Sequence, residues 1–373
     1  MAITKSLTGA ISEGAGAAMF RNRIINGDMR IDQRNAGAAI TASTLSGYGY
    51  ITDRWFFYSN ITSKFQAQQN GGSATPPAGF SNYLGMTVAT PYSVTSSDQF
   101  FIAQRIEGNN MMDLAWGTVN AKPVTLSFWV YSSITGNFGA AIQGYNPTSY
   151  YSYPFNYNIP VANTWTYITV TIPGPTSSPT GGWQTGNGQF CGLQFNLGCG
   201  SSFLGTANTW QSSSLTGATG ATSIVGTSGA TFYITGVQLE KGTAATSFEY
   251  RNYGAELALC QRYCYVWSGS GYQYFSIGMA PTTTSAICPF KMPVTMRASP
   301  TLNTTVTTAN NTFGAGGPTN TTQALTAFSL NNATPETVTF GVTVASGFSS
   351  SGGQAVPLSP NGTAAKFCLE AEL

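Results

Sequence analysis

Histidine is absent from all 373 residues, and between Pro123 and Leu239 there is no Asp, Glu, Lys or Arg. A Ser/His/Asp or Cys/His relay and a histidine-ligated metal are thereby excluded, since each needs an imidazole to move a proton or to donate a nitrogen. Carboxylates remain. Asp28, Asp32, Asp53, Glu107 and Asp113 are the candidates for the pair of acids, about 5–10 Å apart, that glycoside hydrolysis uses. They share their segments with Arg30, Arg34, Arg54 and Arg105. A planar guanidinium is the natural bidentate partner of a carboxylate, so structural ion pairs are expected in place of catalysis. The six cysteines, Cys191, Cys199, Cys260, Cys264, Cys288 and Cys368, are too sparse for a disulfide scaffold and are expected to be free and buried. Cys260 and Cys264 lie at helical spacing, but two thiols with no second pair make a poor zinc site. No metal or cofactor is expected.

Chemistry without proton transfer is better represented. Gly144 to Pro160, GYNPTSYYSYPFNYNIP, holds five Tyr and one Phe among Asn, Ser, Pro and Gly, with no charge. Sugars present apolar ring faces and hydroxyl edges, and aromatic rings beside amides and hydroxyls meet both. Tyr also holds its shape at low entropic cost. Tyr145, Tyr150, Tyr151, Tyr153 and Tyr157 are therefore candidate glycan contacts, joined by Trp183 and Trp210 in small-residue stretches. The same rings would equally serve to pack against a neighbouring chain, because charge depletion and Tyr/Trp enrichment also mark protein interfaces.

The elements that must carry these side chains are strands. Charged residues are only 8% of the chain, against about 25% in an ordinary soluble protein, while 42% of residues are hydrophobic. That composition predicts an all-β protein with real cores. Period-two segments predict a large jelly-roll β-sandwich over residues 20–251, with strands at 54–58, 63–68, 83–88, 100–107, 124–132, 138–145, 164–172, 189–196 and 232–239. In the last of these, Tyr233, Val237 and Leu239 fall on one side. Thr164 to Ile172 has bulk at both parities, predicting a strand covered on both faces. Gly174 to Gly188 and Gly198 to Gly229, poor in large residues, predict surface loops. A short helix is predicted over Ala255 to Tyr265, within a helical connector at 252–267. Strands at 272–279, 285–291, 301–307, 324–330, 336–344 and 366–373 predict a smaller C-terminal β-sandwich over 268–373. Residues 1–19, rich in Ala, Gly, Ser and Thr, predict an extended N-terminal arm that orders only by docking.

The segment ITGVQLEKGTAATSFEYR, Ile234 to Arg251, followed by ELALCQRY, Glu256 to Tyr263, resembles a stretch recurring in tail-fibre and related virion proteins of tailed bacteriophages. INGDMRIDQR at Ile25 to Arg34, DRW at Asp53 to Trp55, QRIEG at Gln104 to Gly108, LSFWV at Leu126 to Val130 and PVTMRASPTL at Pro293 to Leu302 fit the same resemblance. It covers roughly residues 20 to 302 and carries no catalytic motif. It implies a virion component, a homotrimer, assembly in the reducing cytoplasm of the host bacterium, and residues 1–19 docking on other virion proteins. Leu257, Cys260 and Tyr263 are the expected oligomer-packing residues. The order of an INGD-type opening strand and a GVQLE-type closing strand is also similar to carbohydrate-binding modules of jelly-roll fold. INGDMRID resembles their calcium corner, where Asp28, Asp32 and Glu240 would contribute. Calcium takes about six to eight oxygens and Arg30 and Lys241 sit close by, so none is expected.

The net charge of +2, scattered and not blocked, gives no footprint for nucleic acid. No apolar run reaches signal-peptide or membrane-spanning character, so neither membrane insertion nor secretion by signal peptide is expected. The expected function is a non-enzymatic structural protein of a tailed-phage virion, a trimeric tail fibre contributing to host-surface glycan attachment. The alternatives are a head-decorating or baseplate protein without receptor binding, and a polysaccharide-degrading enzyme.

Overall fold

The computed structural model describes residues 21–43, 45, 47–316, 322–348 and 353–373. The arm expected over residues 1–19 lies outside them. The protein is all-β, with one α-helix among the described residues. The chain divides into two compact units after Asn252, the second running to Glu372.

In the first unit the strands are β1 (Gly47–Thr52), β2 (Trp55–Ser59), β3 (Phe65–Gln69), β4 (Leu84–Val88), β5 (Gln99–Glu107), β6 (Val124–Ser132), β7 (Gly136–Asn146), β8 (Ser149–Ile159), β9 (Thr166–Ile172), β10 (Gln189–Cys199), the short β11 (Leu204–Gly205) and β12 (Gly217–Ala218), and β13 (Thr231–Lys241). Apart from β11 and β12, which pair parallel with each other, they build two antiparallel sheets, β1-β2-β5-β10-β7-β8 and β3-β4-β13-β6-β9, in the jelly-roll β-sandwich the sequence predicts. Alternation fills the space between them: Phe57, Phe100, Ile102, Ile142, Phe155 and Phe195 of the first sheet bury with Phe65, Met86, Leu126, Phe128, Phe232 and Ile234 of the second. Each such side chain contributes about 1.5–3 kcal/mol by leaving water.

Three local expectations change. Tyr233 does not share a face with Val237 and Leu239, because the pairing of β13 with β6 slips between Thr235 and Gln238. Gly236 takes φ +62° at that bulge, and a Cβ there would meet Phe80 at 2.6 Å. The extra residue returns Val237 and Leu239 to the core beside Phe232 and Ile234, and leaves Tyr233 against Tyr131 on the outer face. β9 is an edge strand whose Tyr167, Thr169 and Thr171 meet solvent, so it is not covered on both sides. Its outward residues carry hydroxyls, and that of Thr171 donates to Thr243 O at 3.2 Å. The segment Gly198 to Gly229 is not simply a surface loop: Leu215, Ala218, Ile224 and Val225 are buried, and Ser152 and Gln211 exchange backbone hydrogen bonds of 2.8 Å.

The charged motifs converge on one seam. Val237 N–H donates to Gly27 O and Arg23 N–H to Leu239 O, both at 2.9 Å, so opening and closing segments run side by side. Gly27 is required by this approach, since a Cβ would lie 2.2 Å from Val237 O. Glu249 accepts from Asn22 N–H at 2.6 Å, and Trp55 Nε1–H donates to Asn26 O at 3.0 Å. Gln104 pairs with the backbone of Ile25 in both directions, at 2.8 and 2.9 Å.

The second unit begins with α1 (Tyr253–Gln261), followed by β14 (Cys264–Gly269), β15 (Ser276–Ala280), β16 (Ser285–Lys291), β17 (Thr301–Leu302), β18 (Phe313–Gly316), β19 (Thr322–Ala333), β20 (Thr337–Val344), β21 (Gln354–Pro360) and β22 (Ala365–Glu370). The helix stops four residues short of the predicted Tyr265, because the aromatic and β-branched run from Tyr263 to Trp267 favours pairing with β22 over helix. The predicted sandwich is instead a closed barrel, β15-β16-β20-β19-β18-β21, beside a three-stranded sheet, β14-β22-β17. Closure comes from β21, which joins β15 to β18. Its two prolines, Pro357 and Pro360, hid it from a strand reading.

Candidate functional site: a groove on the six-stranded sheet

The residues of the six-stranded sheet that turn away from the core form a continuous register. Tyr50, Phe56, Ala103, Gln194, Ala141 and Pro154 stand in one cross-strand row, and Tyr48, Tyr58, Phe101 and Asn196 in the next. A third row holds Arg105, Gly192, Gln143 and Ser152, and Tyr145 faces Tyr150 at the hairpin end. Rings therefore flank small residues. Ala103 and Gly192 at the middle leave a groove of about 590 Å³, in the size range of small-ligand sites. Phe203, Ser214 and Thr216, from the segment folded over β7 and β8, form a wall.

The aromatic flank is ordered by ring contacts. Tyr58 stacks on Phe101 with centroids 5.2 Å apart, and Tyr48 lies 4.6 Å from Phe56. The Arg105 guanidinium sits 5.0 Å from the centroids of both Tyr48 and Phe56 and donates to Leu373 O, so it stacks on rings and is not paired with an Asp or Glu of its own segment. Across the groove Tyr145 and Tyr150 approach to 5.6 Å, and Tyr150 is 40% exposed. Between the flanks lie amides. Gln194 Nε2 donates to Gln143 Oε1 at 3.1 Å, and Gln143 Nε2 donates to Ser214 Oγ and Leu215 O at 3.2 and 3.3 Å. Gln194 is 93% buried by its 7% exposure, yet its Oε1 has no hydrogen-bond partner among the described residues. Burying an acceptor unpaired costs about 1–3 kcal/mol.

The tyrosine-rich stretch is a β-hairpin and not a loop, with Pro147 and Thr148 at its turn. Alternation divides the predicted contacts. Tyr145 and Tyr150 reach the groove, whereas Tyr153 and Tyr157 point inward and are buried in the core, out of reach of any ligand. Tyr151 stacks on Trp210 at 5.4 Å, and Trp183 stacks on Phe190 at 4.7 Å, with Trp116 between the two indoles. Trp210 Nε1–H donates to Pro173 O at 2.8 Å and Trp183 Nε1–H to Ser177 O at 3.3 Å. These rings close the end of the sandwich and do not line the groove. The groove residues missed in the sequence, Tyr48, Phe56, Tyr58, Phe101, Gln143 and Gln194, left one signal: WFFYS and QFFIAQ carry bulk at both parities, more than a one-sided strand needs.

Tyr157 packs against Phe128 and Phe138 at 5.1 and 6.0 Å, and its hydroxyl is buried with no partner among the described residues. Burial alone pushes its phenol far above the ordinary range. Tyr157→Phe is therefore expected to stabilise the protein by about 1 kcal/mol, read as a higher urea midpoint. A lower midpoint would show the hydroxyl to be satisfied.

The carboxylates considered for catalysis are held elsewhere. Asp28 pairs with Arg30 at 3.1 Å, Asp53 with Arg34 at 3.4 Å, and Asp113 with Arg23 and Lys241 at 2.8 and 3.3 Å. Burial raises the Asp113 carboxyl, but the hydrogen bonds and charge of Arg23 and Lys241 hold it below the ordinary value. Asp32 is pushed up by burial, against the amides of Gly37 and Asn35 that it accepts at 2.8 and 3.0 Å. Glu107 accepts from Asn109 Nδ2 at 3.0 Å. Glu240 accepts from Thr246 N–H and Gln238 Nε2 at 2.8 and 2.9 Å. None of the described residues lining the groove is Asp or Glu. Asp28, Asp32 and Glu240 do not assemble into a ligand group for an ion. Cys260 and Tyr263, expected at an oligomer axis, are fully buried and cannot present a surface, whereas Leu257 is half-buried. All six cysteines are buried, and burial pushes the Cys199 and Cys288 thiols up to about 12.

No protein-family model matches the chain, and no curated protein matches it in sequence. In three dimensions it is similar to the enzymatically active domain of tailspike protein 4 of Bacteriophage CBA120, at 16% identity and TM-score 0.31 over 59% of this chain. The chain spans 21% of the length of that tailspike domain. It is also similar to the family 11 carbohydrate-binding module of a cellulosomal cellulase of Clostridium thermocellum, at 12% identity and TM-score 0.26 over 54% of this chain and 98% of the module. The N-terminal cellulose-binding domain of Cellulomonas fimi β-1,4-glucanase C is similar at 11% identity and TM-score 0.26, over 49% of this chain and 91% of that one.

Proposed function

We propose that the first unit binds an oligosaccharide in the groove without cleaving it, and that the chain is a structural protein of a tailed-phage virion, a homotrimeric tail fibre that attaches to host-surface glycan. The observation that carries the binding role is the groove itself: rings on both flanks, amides between, and the Gln194 Oε1 acceptor buried with no partner among the described residues. A sugar laid along it would stack its apolar faces on Tyr58 and Tyr150 and donate a hydroxyl to Gln194. The virion role rests on the motifs from Ile25 to Leu302. Repetition of the groove over three chains and many fibres would turn weak contacts into durable attachment.

Titrating the protein with a panel of host-surface oligosaccharides, by calorimetry, tests the binding role. Saturable binding is expected, weakened about tenfold in Gln194→Leu by loss of one hydrogen bond, with the unfolding midpoint measured alongside. Unchanged affinity in that variant sinks the groove as the site, and release of reducing ends sinks the non-enzymatic reading.

The head-decorating or baseplate alternative draws on a different observation. Ile277, Met279 and Ile287 lie side by side on the outer wall of the barrel, 65%, 54% and 42% exposed. An apolar wall of that kind suits contact with another virion subunit. Antibody labelling of intact particles separates the two: label at the tail tip supports the fibre, and label over the head supports decoration.

A further inference from the structure

β14 and β22 run antiparallel with Cys264 opposite Glu370 and Val266 opposite Cys368, which puts Cys264, Cys368 and Glu370 on one face of the pair. The opposite face gives Tyr265, Trp267, Phe367 and Leu369 to the core of the second unit. Both cysteines are fully buried and Glu370 is half-buried. The two sulfurs stand 3.6 Å apart, and Cys368 Sγ is 3.7 Å from Glu370 Oε1. The three ligating atoms all lie within 4.8 Å of one another, the one such group of Cys, Asp or Glu among the described residues.

The sulfur–sulfur and Cys368–Glu370 separations are those of the edges of a coordination polyhedron. A tetrahedral zinc ion with Zn–S about 2.3 Å and Zn–O about 2.1 Å has a sulfur–sulfur edge of about 3.8 Å and a sulfur–oxygen edge of about 3.6 Å. A disulfide would need the sulfurs at about 2.05 Å. The sequence directs attention to Cys260 as the partner of Cys264, four residues away, but the partner in space is Cys368, 104 residues on.

We propose that Cys264, Cys368 and Glu370 form a binding site for a thiophilic divalent cation of the zinc class, with the fourth position open to water beside the half-buried Glu370. On binding, each thiol gives its proton to solvent as its sulfur–metal bond forms, and no electron is transferred. The ion ties the strand that follows α1 to the last strand of the chain, so its effect is on the stability of the second unit.

The test uses the full-length protein, purified under reducing and chelating conditions and titrated with cobalt(II) as the probe. One equivalent should produce a sulfur-to-cobalt charge-transfer band and the intense visible bands of a four-coordinate site, both erased by zinc. Zinc should also raise the unfolding temperature. Cys368→Ser should abolish the charge-transfer band, Glu370→Gln should weaken cobalt binding while keeping it, and Cys199→Ser should leave it unchanged. Glu370→Gln, at a half-buried position, keeps the experiment readable should the buried Cys368→Ser fail to fold. The proposal is overturned by absence of the band in folded parent protein, by its survival in Cys368→Ser, by cobalt affinity unaltered in Glu370→Gln, or by freshly isolated protein in which Cys264 and Cys368 are already joined as a disulfide.

Discussion

Tyr58→Ala combined with Tyr150→Ala is expected to weaken oligosaccharide binding about a hundredfold, since each stacking ring is worth about 1.4 kcal/mol, or a factor of ten. The two rings sit on opposite flanks of the groove and are separated by the amide row of Gln143 and Gln194. No ring contact links them among the described residues, so their losses should add. Neither lies in the core between the sheets; among the described residues, the ring contacts are Tyr58 with Phe101 and Tyr150 with Tyr145. The double variant should therefore stay folded, with a stability loss of about 1–3 kcal/mol, since Tyr58 is half-buried and Tyr150 is exposed. Calorimetric titration reads the affinity and urea unfolding reads the stability. Affinity within a factor of two of the parent would remove the groove from consideration. Tyr153→Ala is the informative contrast: it empties a core position and should lose stability by about 3–5 kcal/mol, so lost binding there says nothing about contact.

Asp53→Ala is expected to lose as much stability as emptying a core position, about 3–5 kcal/mol from a native state of about 5–15 kcal/mol. The Asp53 side chain is fully buried, lies 3.4 Å from Arg34 Nη1, and accepts from the Gln33 backbone at 3.2 Å as well as from the Gln33 side-chain amide. Removing the carboxylate leaves the buried Arg34 guanidinium without this counter-charge, and that residual charge is the main cost. Replacing Arg34 by Met in the same chain should return part of the loss, because two apolar side chains carry no unpaired charge. Equilibrium unfolding of the two single variants and the double variant measures this directly. The result also bears on catalysis. A carboxylate kept for chemistry is typically a strained or destabilising group, so its removal leaves stability unchanged or raises it. Unchanged stability in Asp53→Ala would reopen the hydrolase reading; a large loss places the acid in the scaffold.

Much of the fold was legible because strand periodicity is local. Val124 to Ser132 and Ser285 to Lys291 read to the residue: the second alternates between a buried and a less buried face, and the first puts Val124, Leu126, Phe128 and Val130 on one buried face. Where local signals conflict, the reading failed. The Asn, Pro, Ser and Gly content of Gly144 to Pro160 suggested a loop, yet pairing across eleven positions with β7 made it a hairpin strand. Pro357 hid a barrel strand for a similar reason. The bulge at Gly236 reversed the face of Tyr233 relative to Val237, and no period-two count survives an inserted residue.

What the sequence by itself determined was a set of bounds: no histidine, too few charges for an electrostatic partner, and acids interleaved with arginines, which exclude imidazole chemistry whatever the chain does in space. The all-β architecture followed from the same composition. Only the tertiary structure decided which rings face a ligand and which fill the core, because that choice depends on register across six strands drawn from positions 48 to 194. It also placed Cys368, and not Cys260, beside Cys264. Composition constrains chemistry without reference to distance, whereas a site is a statement about distances, and here they are set by strand pairings between residues far apart in the chain.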